Sequence, residues 1–220
     1  MFQTVAIAIF LVTLAGIGVH WIVFPARSER RGGVCMVAGI VHVFSLLLIE
    51  QKQSLLGALK KLCYLVASIC FVVLAITGFY PLLVRGEHIS GYLMMIHATF
   101  APVFAICLAI LAITWAGGYR FETSDCPWLW RFLRRVTALR IPSSEGPCRC
   151  SLVVQKVMFW AIVALSLPLI LSIVLSMLLL FGTHWQETLL AAHRWTAVAF
   201  AVAVLIHTYM AIRIRMACEA

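Results

Sequence analysis

The stretch "HRWTAVAFAVAVLIH", residues 193–207, has a histidine at each end of one apolar run. An imidazole is costly inside an apolar helix because its ring nitrogens need hydrogen-bond partners. Fourteen residues of α-helix rise about 21 Å and return to nearly the same helix face. If this run crosses a membrane, His193 and His207 therefore point the same way, one near each membrane surface.

The composition of the whole chain is that of a membrane protein. Its 220 residues are 64% hydrophobic and 11% charged, whereas soluble domains are about half apolar and about a quarter charged. Runs of about 20 apolar residues are long enough to cross a bilayer. Four clear runs and a fifth that contains the opening stretch lie at residues 2–24, 62–84, 91–116, 155–181 and 188–212. The sequence predicts an all-α, polytopic transmembrane helical bundle of five spans in contact with membrane lipid.

The net charge of +9 is distributed between the spans and not over one surface. Loop 117–154 is rich in arginine, whereas loop 85–90 has only Arg85 against Glu87 and loop 182–187 has no Lys or Arg. Because basic loops remain in the cytoplasm, loop 117–154 and the C-terminus are predicted to be cytoplasmic, and the N-terminus to lie outside. This distribution argues against nucleic acid as a partner and predicts a multi-pass protein of the cell inner membrane.

One segment leaves the number of spans open. Residues 34–50, "VCMVAGIVHVFSLLLIE", could form a short sixth span or lie at the cytoplasmic surface. A sixth span would move Arg27, Arg30 and Arg31 to the outside, against the charge rule, so five spans are favoured. We therefore expect an N-terminal extra span plus interfacial segment over 1–60 and a four-helix core over 61–220.

The depth of two histidines suggests a haem site. His97 is the seventh residue of the third predicted span and His193 the sixth residue of the fifth. Both spans start at the outer face, so the two imidazoles lie at similar depth. A b-type haem takes axial imidazole ligands from the protein, and this pair could supply two.

Several stretches, taken in order, resemble one known family. They are "FVVLAITGF", "MMIHATFAPVFA", "CPWLWRFL", "VQKVMFW" and "LLAAHRWTAVAFAVAVLIHTYMA". Over about residues 60–212 the chain resembles the cytochrome b membrane subunits of respiratory formate dehydrogenases, with their relatives in thiosulfate reductases and nickel–iron hydrogenases. The resemblance implies a four-helix core with two b haems. It further implies electron transfer between the quinone pool and an outer-face subunit that carries iron–sulfur clusters or c haems, as part of a quinone-linked respiratory oxidoreductase complex.

The resemblance also assigns roles to individual residues. It implies that His97 and His193 ligate the outer haem and that His207 supplies one ligand of the inner haem. Gln155 and Lys156 match family positions close to the quinone, although polar residues are also ordinary at the start of a membrane helix. Arg194, beside His193, could pair with haem propionates or could be a cation that reaches the membrane surface.

One position departs from the family. Counting fourteen residues back from Gly78 gives Tyr64, where the family has the histidine that completes the inner haem. Three alternatives follow. The inner haem is absent and His207 is structural or part of a quinone pocket; the haem is present with Tyr64, water or nothing as sixth ligand; or His20 or His42 replaces the missing histidine.

Other classes of function remain open on the sequence alone. The chain could be a haem-free membrane anchor, a histidine-lined transporter, or an electron conduit that uses no quinone. The predicted spans contain no Asp or Glu, and buried acidic residues are common in coupled transporters. The sequence therefore favours electron transfer over transport.

Overall fold

The computed structural model describes residues 1–23, 55–121, 147–178 and 182–218. Most of these residues are helical, and none of them lies in a strand. The helices are α1 (Phe2–Val23), α2 (Leu55–Tyr80) with a π-helical turn (Pro81–Arg85), α3 (Gly91–Trp115), α4 (Pro147–Met177) and α5 (Thr183–Cys218). The predicted all-α class is confirmed. Segment 34–50, with its possible sixth span, and His42 lie outside the described residues.

Five of these helical segments are long and apolar enough to cross a membrane. They are Phe2–Val23, Gly57–Arg85, Gly91–Trp115, Val153–Met177 and Thr183–Ile214, which agree with the five predicted spans. Many large apolar side chains on their surfaces are exposed, including Leu11, Val12 and Ile113. Such an apolar exterior suits contact with lipid, and the protein is a multi-pass membrane protein.

The core consists of two helical hairpins. The backbones of α2 and α3 pack closely together, as do those of α4 and α5, whereas few backbone approaches connect the two hairpins. Long side chains bridge the space between the hairpins instead. The spacing of the two hairpins is therefore set by side chains.

Helix α1 packs against this core at both of its ends. At one end Gln3 Nε2 donates to the Leu83 carbonyl at 3.0 Å, and Phe2 meets Trp195 edge to face with ring centroids 4.6 Å apart. Leu83 belongs to the π-helical turn that ends α2. We call this end of the bundle, which the charge rule places outside, the outer end.

Seven-residue spacing organises the core into three levels. Residues seven apart on a helix lie on nearly the same face, with a drift of about 20°. Each hairpin contributes one residue per helix to each level. The outer level is Gly78, His97, Leu169 and His193; the middle level is Phe71, Phe104, Ile162 and Phe200; the inner level is Tyr64, Leu111, Gln155 and His207.

The middle level is a cluster of phenylalanine rings. Phe71 lies 6.2 Å from Phe104 and 6.1 Å from Phe200 between ring centroids, and Phe104 lies 6.0 Å from Phe200. Phe104 and Phe200 are buried. These tilted and edge-to-face contacts join the two hairpins. They separate the polar groups of the outer level from those of the inner level by an apolar layer.

Candidate functional site

His193 is oriented by the backbone of the neighbouring helix. Its Nδ1 lies 2.9 Å from the carbonyl oxygen of Leu169 in α4. A carbonyl oxygen can only accept a hydrogen bond, so Nδ1 carries the proton. The Nε2 atom of His193 then keeps its lone pair, and a neutral imidazole nitrogen of this kind is a metal ligand.

His97 is oriented in the same way by a side chain of α2. Its Nδ1 lies 3.0 Å from Thr77 Oγ1. The Thr77 hydroxyl donates its proton to the carbonyl of Val73 at 2.7 Å, so Oγ1 accepts from Nδ1–H. The hydrogen-bond network thus assigns His97 the same tautomer as His193, with the lone pair on Nε2.

A glycine lets the His97 ring approach the backbone of α2. A Cβ atom at Gly78 would lie 3.2 Å from His97 Cε1 and 3.6 Å from His97 Nδ1. The first distance is tighter than ordinary contact, so a larger residue would displace the ring. Gly78 and Thr77 together hold His97 against α2.

The two outer-level histidines come from different hairpins. His97 is on α3 and His193 is on α5, and they occupy the same level of the core. The His97 ring is hydrogen-bonded to Thr77 of α2, and the His193 ring is hydrogen-bonded to Leu169 of α4. Each of the two residues lies seven positions from a phenylalanine of the middle level, and their role as a ligand pair stays a prediction.

Arg194 pairs with a histidine of the outer loop. Its Nη2 donates to Nδ1 of His88 at 2.8 Å, and His88 is exposed. The guanidinium therefore lies at the outer surface beside His193. At this position the guanidinium can reach both the propionates of a haem and the water at the membrane surface. The position therefore fits both roles considered from the sequence.

The inner level contains a polar cluster that includes a residue missed from the sequence. The Tyr119 ring lies 5.9 Å from that of His207 between centroids, and Gln155 Nε2 donates to the Tyr119 hydroxyl at 3.3 Å. Trp160 Nε1 donates to the Tyr119 carbonyl at 3.0 Å. Tyr119 follows the end of α3, where an aromatic residue resembles an ordinary interfacial anchor. Lys156 follows Gln155 on α4 and is half-buried.

The three candidates for a second inner ligand are placed differently. Tyr64 packs its ring against Trp115, with centroids 5.5 Å apart. His20 of α1 shares a hydrogen bond of 2.6 Å between its Nδ1 and the Tyr209 hydroxyl. His42 lies outside the described residues. The structure therefore does not bring Tyr64 or His20 into a pair with His207 like that of the outer level.

No family model, curated protein or solved structure matches this chain. The fold and the site define a multi-pass helical membrane protein with a pair of oriented histidines near one end of its core. At the other end a single histidine lies in an aromatic and polar cluster.

Proposed function

We propose that this chain is an integral-membrane b-type cytochrome subunit that transfers electrons between a redox partner at its outer face and the quinone pool. One observation carries the proposal. His97 and His193 lie on different hairpins at the same level of the core, and each has its Nδ1 fixed by a hydrogen bond. Both Nε2 lone pairs are thereby available to an iron placed between the rings.

The surroundings of the pair fit a bound haem. Metal-binding histidines usually donate their second N–H to a carbonyl or another oxygen, which fixes the ring and strengthens the ligand. The Leu169 carbonyl and the Thr77 hydroxyl have this role here. When bound, a haem supplies one-electron exchange. The phenylalanine cluster of the middle level keeps water away from the inner side of the site.

The outer face offers a docking position for the redox partner. Arg194 and His88 lie at this surface directly beside the proposed outer ligand. Guanidinium groups bind carboxylates in strong charge-assisted hydrogen bonds, so this pair would suit haem propionates or an acidic partner surface. The partner would be a subunit with iron–sulfur clusters or c haems on the outer face, and this chain would lie in the cell inner membrane.

Quinone is the proposed partner at the inner end. Gln155, which the family resemblance places close to quinone, lies in the inner level and contacts Tyr119. Lys156 is adjacent to it on α4. An amide, a phenol and an imidazole near the membrane surface can exchange hydrogen bonds with the carbonyl oxygens of a quinone.

A visible spectrum of the purified protein tests the proposal. After expression with haem supplied, we expect the bands of a reduced b-type haem. His97→Ala and His193→Ala should each lose the same haem, because one imidazole does not hold a bis-histidine haem firmly. His184→Ala is the matched control, since His184 is on α5 but exposed at the outer end.

Two results would contradict the proposal. Absence of b-type bands would favour a haem-free anchor. Full haem content in both His97→Ala and His193→Ala would exclude this pair as the ligands. Reduction of the haem by a quinol analogue, absent in a conduit that uses no quinone, tests the quinone part separately.

A further inference from the structure

Four side chains join the inner end of α1 to α5. His20 Nδ1 and the Tyr209 hydroxyl share a hydrogen bond of 2.6 Å, and their rings meet edge to face with centroids 5.6 Å apart. The Trp21 ring lies 6.2 Å from the Tyr209 ring between centroids. Arg213, one turn further along α5, has its guanidinium carbon 5.7 Å from the centre of the Trp21 ring. We call these four residues the α1–α5 cluster.

The guanidinium of Arg213 is held in this cluster without all of its hydrogen bonds. Its Nη1 atom is buried and has no hydrogen-bond partner among the residues that the structure describes. A guanidinium is always charged and carries five N–H donors, and a buried donor without an acceptor is costly. The face of Trp21 attracts the cation, but it does not supply the oxygen atoms that a guanidinium binds most strongly.

Arg213 differs in this respect from an ordinary basic residue at a membrane surface. Such a residue extends its charged group into water. Arg85 is of this kind: it lies at the outer end with its guanidinium carbon 5.7 Å from the centre of the Tyr80 ring, and its side chain is exposed. Arg213 has the same distance to its aromatic ring but has a buried nitrogen. The α1–α5 cluster therefore presents a partly desolvated cation to which an anion can bind.

The described residues supply no carboxylate for this cation. Within residues 1–23, 55–121, 147–178 and 182–218 the acidic side chains are Glu87 and Glu187, and both lie at the outer end of the bundle. Glu187 precedes Arg213 by 26 residues on α5, which corresponds to about 39 Å of helix. We therefore looked for an anion that belongs to another molecule.

The surface beside the cluster indicates the source of that anion. Val19, Ile22 and Val23 on α1 are exposed, so this side of the helix can carry the acyl chains of a lipid. The phosphate of such a lipid would lie at the inner membrane surface, where α1 ends. Basic sites between membrane helices on the cytoplasmic side bind anionic headgroups. A dissolved phosphate would gain nothing from the apolar surface next to the cluster.

We propose that the α1–α5 cluster binds the phosphate of an anionic phospholipid at the inner membrane surface. Arg213 donates hydrogen bonds to the phosphate oxygens, and Trp21 holds the guanidinium through its ring. The hydrogen bond between His20 and Tyr209 fixes α1 against α5 and so positions Trp21. This site needs neither haem nor quinone and goes beyond the proposed function. It makes the attachment of α1 to the core dependent on lipid.

Binding of defined lipids to the purified full-length chain tests the proposal. After removal of lipid in detergent, the chain is titrated with dioleoyl phosphatidylglycerol, and native mass spectrometry reports the bound fraction. We expect tighter binding than for dioleoyl phosphatidylcholine, whose headgroup carries a compensating cation. Arg213→Gln should weaken binding of phosphatidylglycerol about 10- to 100-fold, because a charge-assisted hydrogen bond is lost. Trp21→Leu should weaken it in the same direction.

Two further variants control for charge and for position. Arg213→Lys keeps the charge but not the planar fork of donors, and should bind with intermediate affinity. Arg85→Gln removes the matching cation at the outer end and should bind as the wild type does. Circular dichroism and elution volume in detergent check that each variant is folded. If Arg213→Gln does not fold, Arg213→Lys and Trp21→Leu decide in its place.

Several results would overturn the proposal. Equal affinity of the wild type for the two lipids would show that the chain does not select an anionic headgroup. Displacement of phosphatidylglycerol by millimolar inorganic phosphate would identify a site for a soluble anion instead. Unchanged affinity in Arg213→Gln would show that another group of the chain already neutralises Arg213. An equal loss in Arg85→Gln would show that net charge, and not this cluster, attracts the lipid.

Discussion

Replacing Thr77 with valine tests how the outer imidazole is held. Valine has nearly the shape of threonine, so the change removes little besides the hydroxyl that accepts from His97 Nδ1 at 3.0 Å. Thr77 is 5% exposed, so water does not readily replace that hydroxyl. A buried N–H left without a partner costs about 1–3 kcal/mol. Loss of an oxygen that orients a metal-bound histidine lowers metal affinity by about 10- to 100-fold.

We therefore expect Thr77→Val to bind haem about 10- to 100-fold more weakly than the wild type, which corresponds to about 1.4–2.8 kcal/mol. Titration of haem into the apoprotein, followed in the b-type absorbance bands, measures this change. The haem that is bound should have a higher reduction potential, because the imidazole donates less strongly once its N–H loses an acceptor.

Two variants control for general damage to the helices. Thr77→Ser retains the hydroxyl and should restore most of the affinity. Thr99→Val removes a hydroxyl that donates to the Met95 carbonyl at 2.8 Å, much as Thr77 donates to Val73, and should leave haem binding unchanged. If Thr77→Val binds haem as tightly as the wild type, or if Thr99→Val weakens it equally, Thr77 does not orient the ligand.

Further expectations concern the glycine at the site, the topology and the core. Gly78→Ala should alter the haem spectrum because its Cβ would lie 3.2 Å from the histidine ring of α3, whereas Gly16→Ala, which has open space, should not; equal effects would show that the close approach is unimportant. A reporter fused after Gly118 should be cytoplasmic and one fused after Thr183 external, because basic loops stay inside; the opposite result would place the outer level at the cytoplasmic face. Phe200→Ala should destabilise the bundle by about 3–5 kcal/mol, seen as a lower midpoint of detergent-induced unfolding; an unchanged midpoint would show that the phenylalanine cluster does not join the hairpins.

Hydropathy predicted the helices well but not their full lengths. The third predicted span, 91–116, agrees closely with Gly91–Trp115. The second, predicted over 62–84, begins earlier, with a span of Gly57–Arg85 inside a helix that starts at Leu55. Apolar composition reports the hydrocarbon core of the bilayer, whereas helical hydrogen bonding continues into the headgroup region, where Lys60 and Lys61 are acceptable.

The sequence predicted which histidines share a depth but not what holds them. Their spacing from the start of each span predicted similar membrane depths for His97 and His193, because the rise of a helix per residue is regular. The partner of His193 is the backbone carbonyl of Leu169, which no residue type signals. Nothing in the sequence indicated the role of Thr77, because a threonine within a helix commonly bonds its own backbone. Only the packing shows that Thr77 also contacts the His97 ring of α3.

The same regular spacing conceals a difference between the two ends of the bundle. Residues seven apart point in nearly the same direction from a helix, with a drift of about 40° over two heptads. The side chains that surround them at each level can nevertheless differ. At the outer end α2 and α3 both continue through the level and supply Thr77 and His97. At the inner end α3 supplies Leu111 in place of a histidine, and after α3 ends at Trp115 the chain turns so that Tyr119 lies against His207. His193 therefore shares its level with a second histidine, whereas His207 shares its level with Leu111 and lies against the ring of Tyr119.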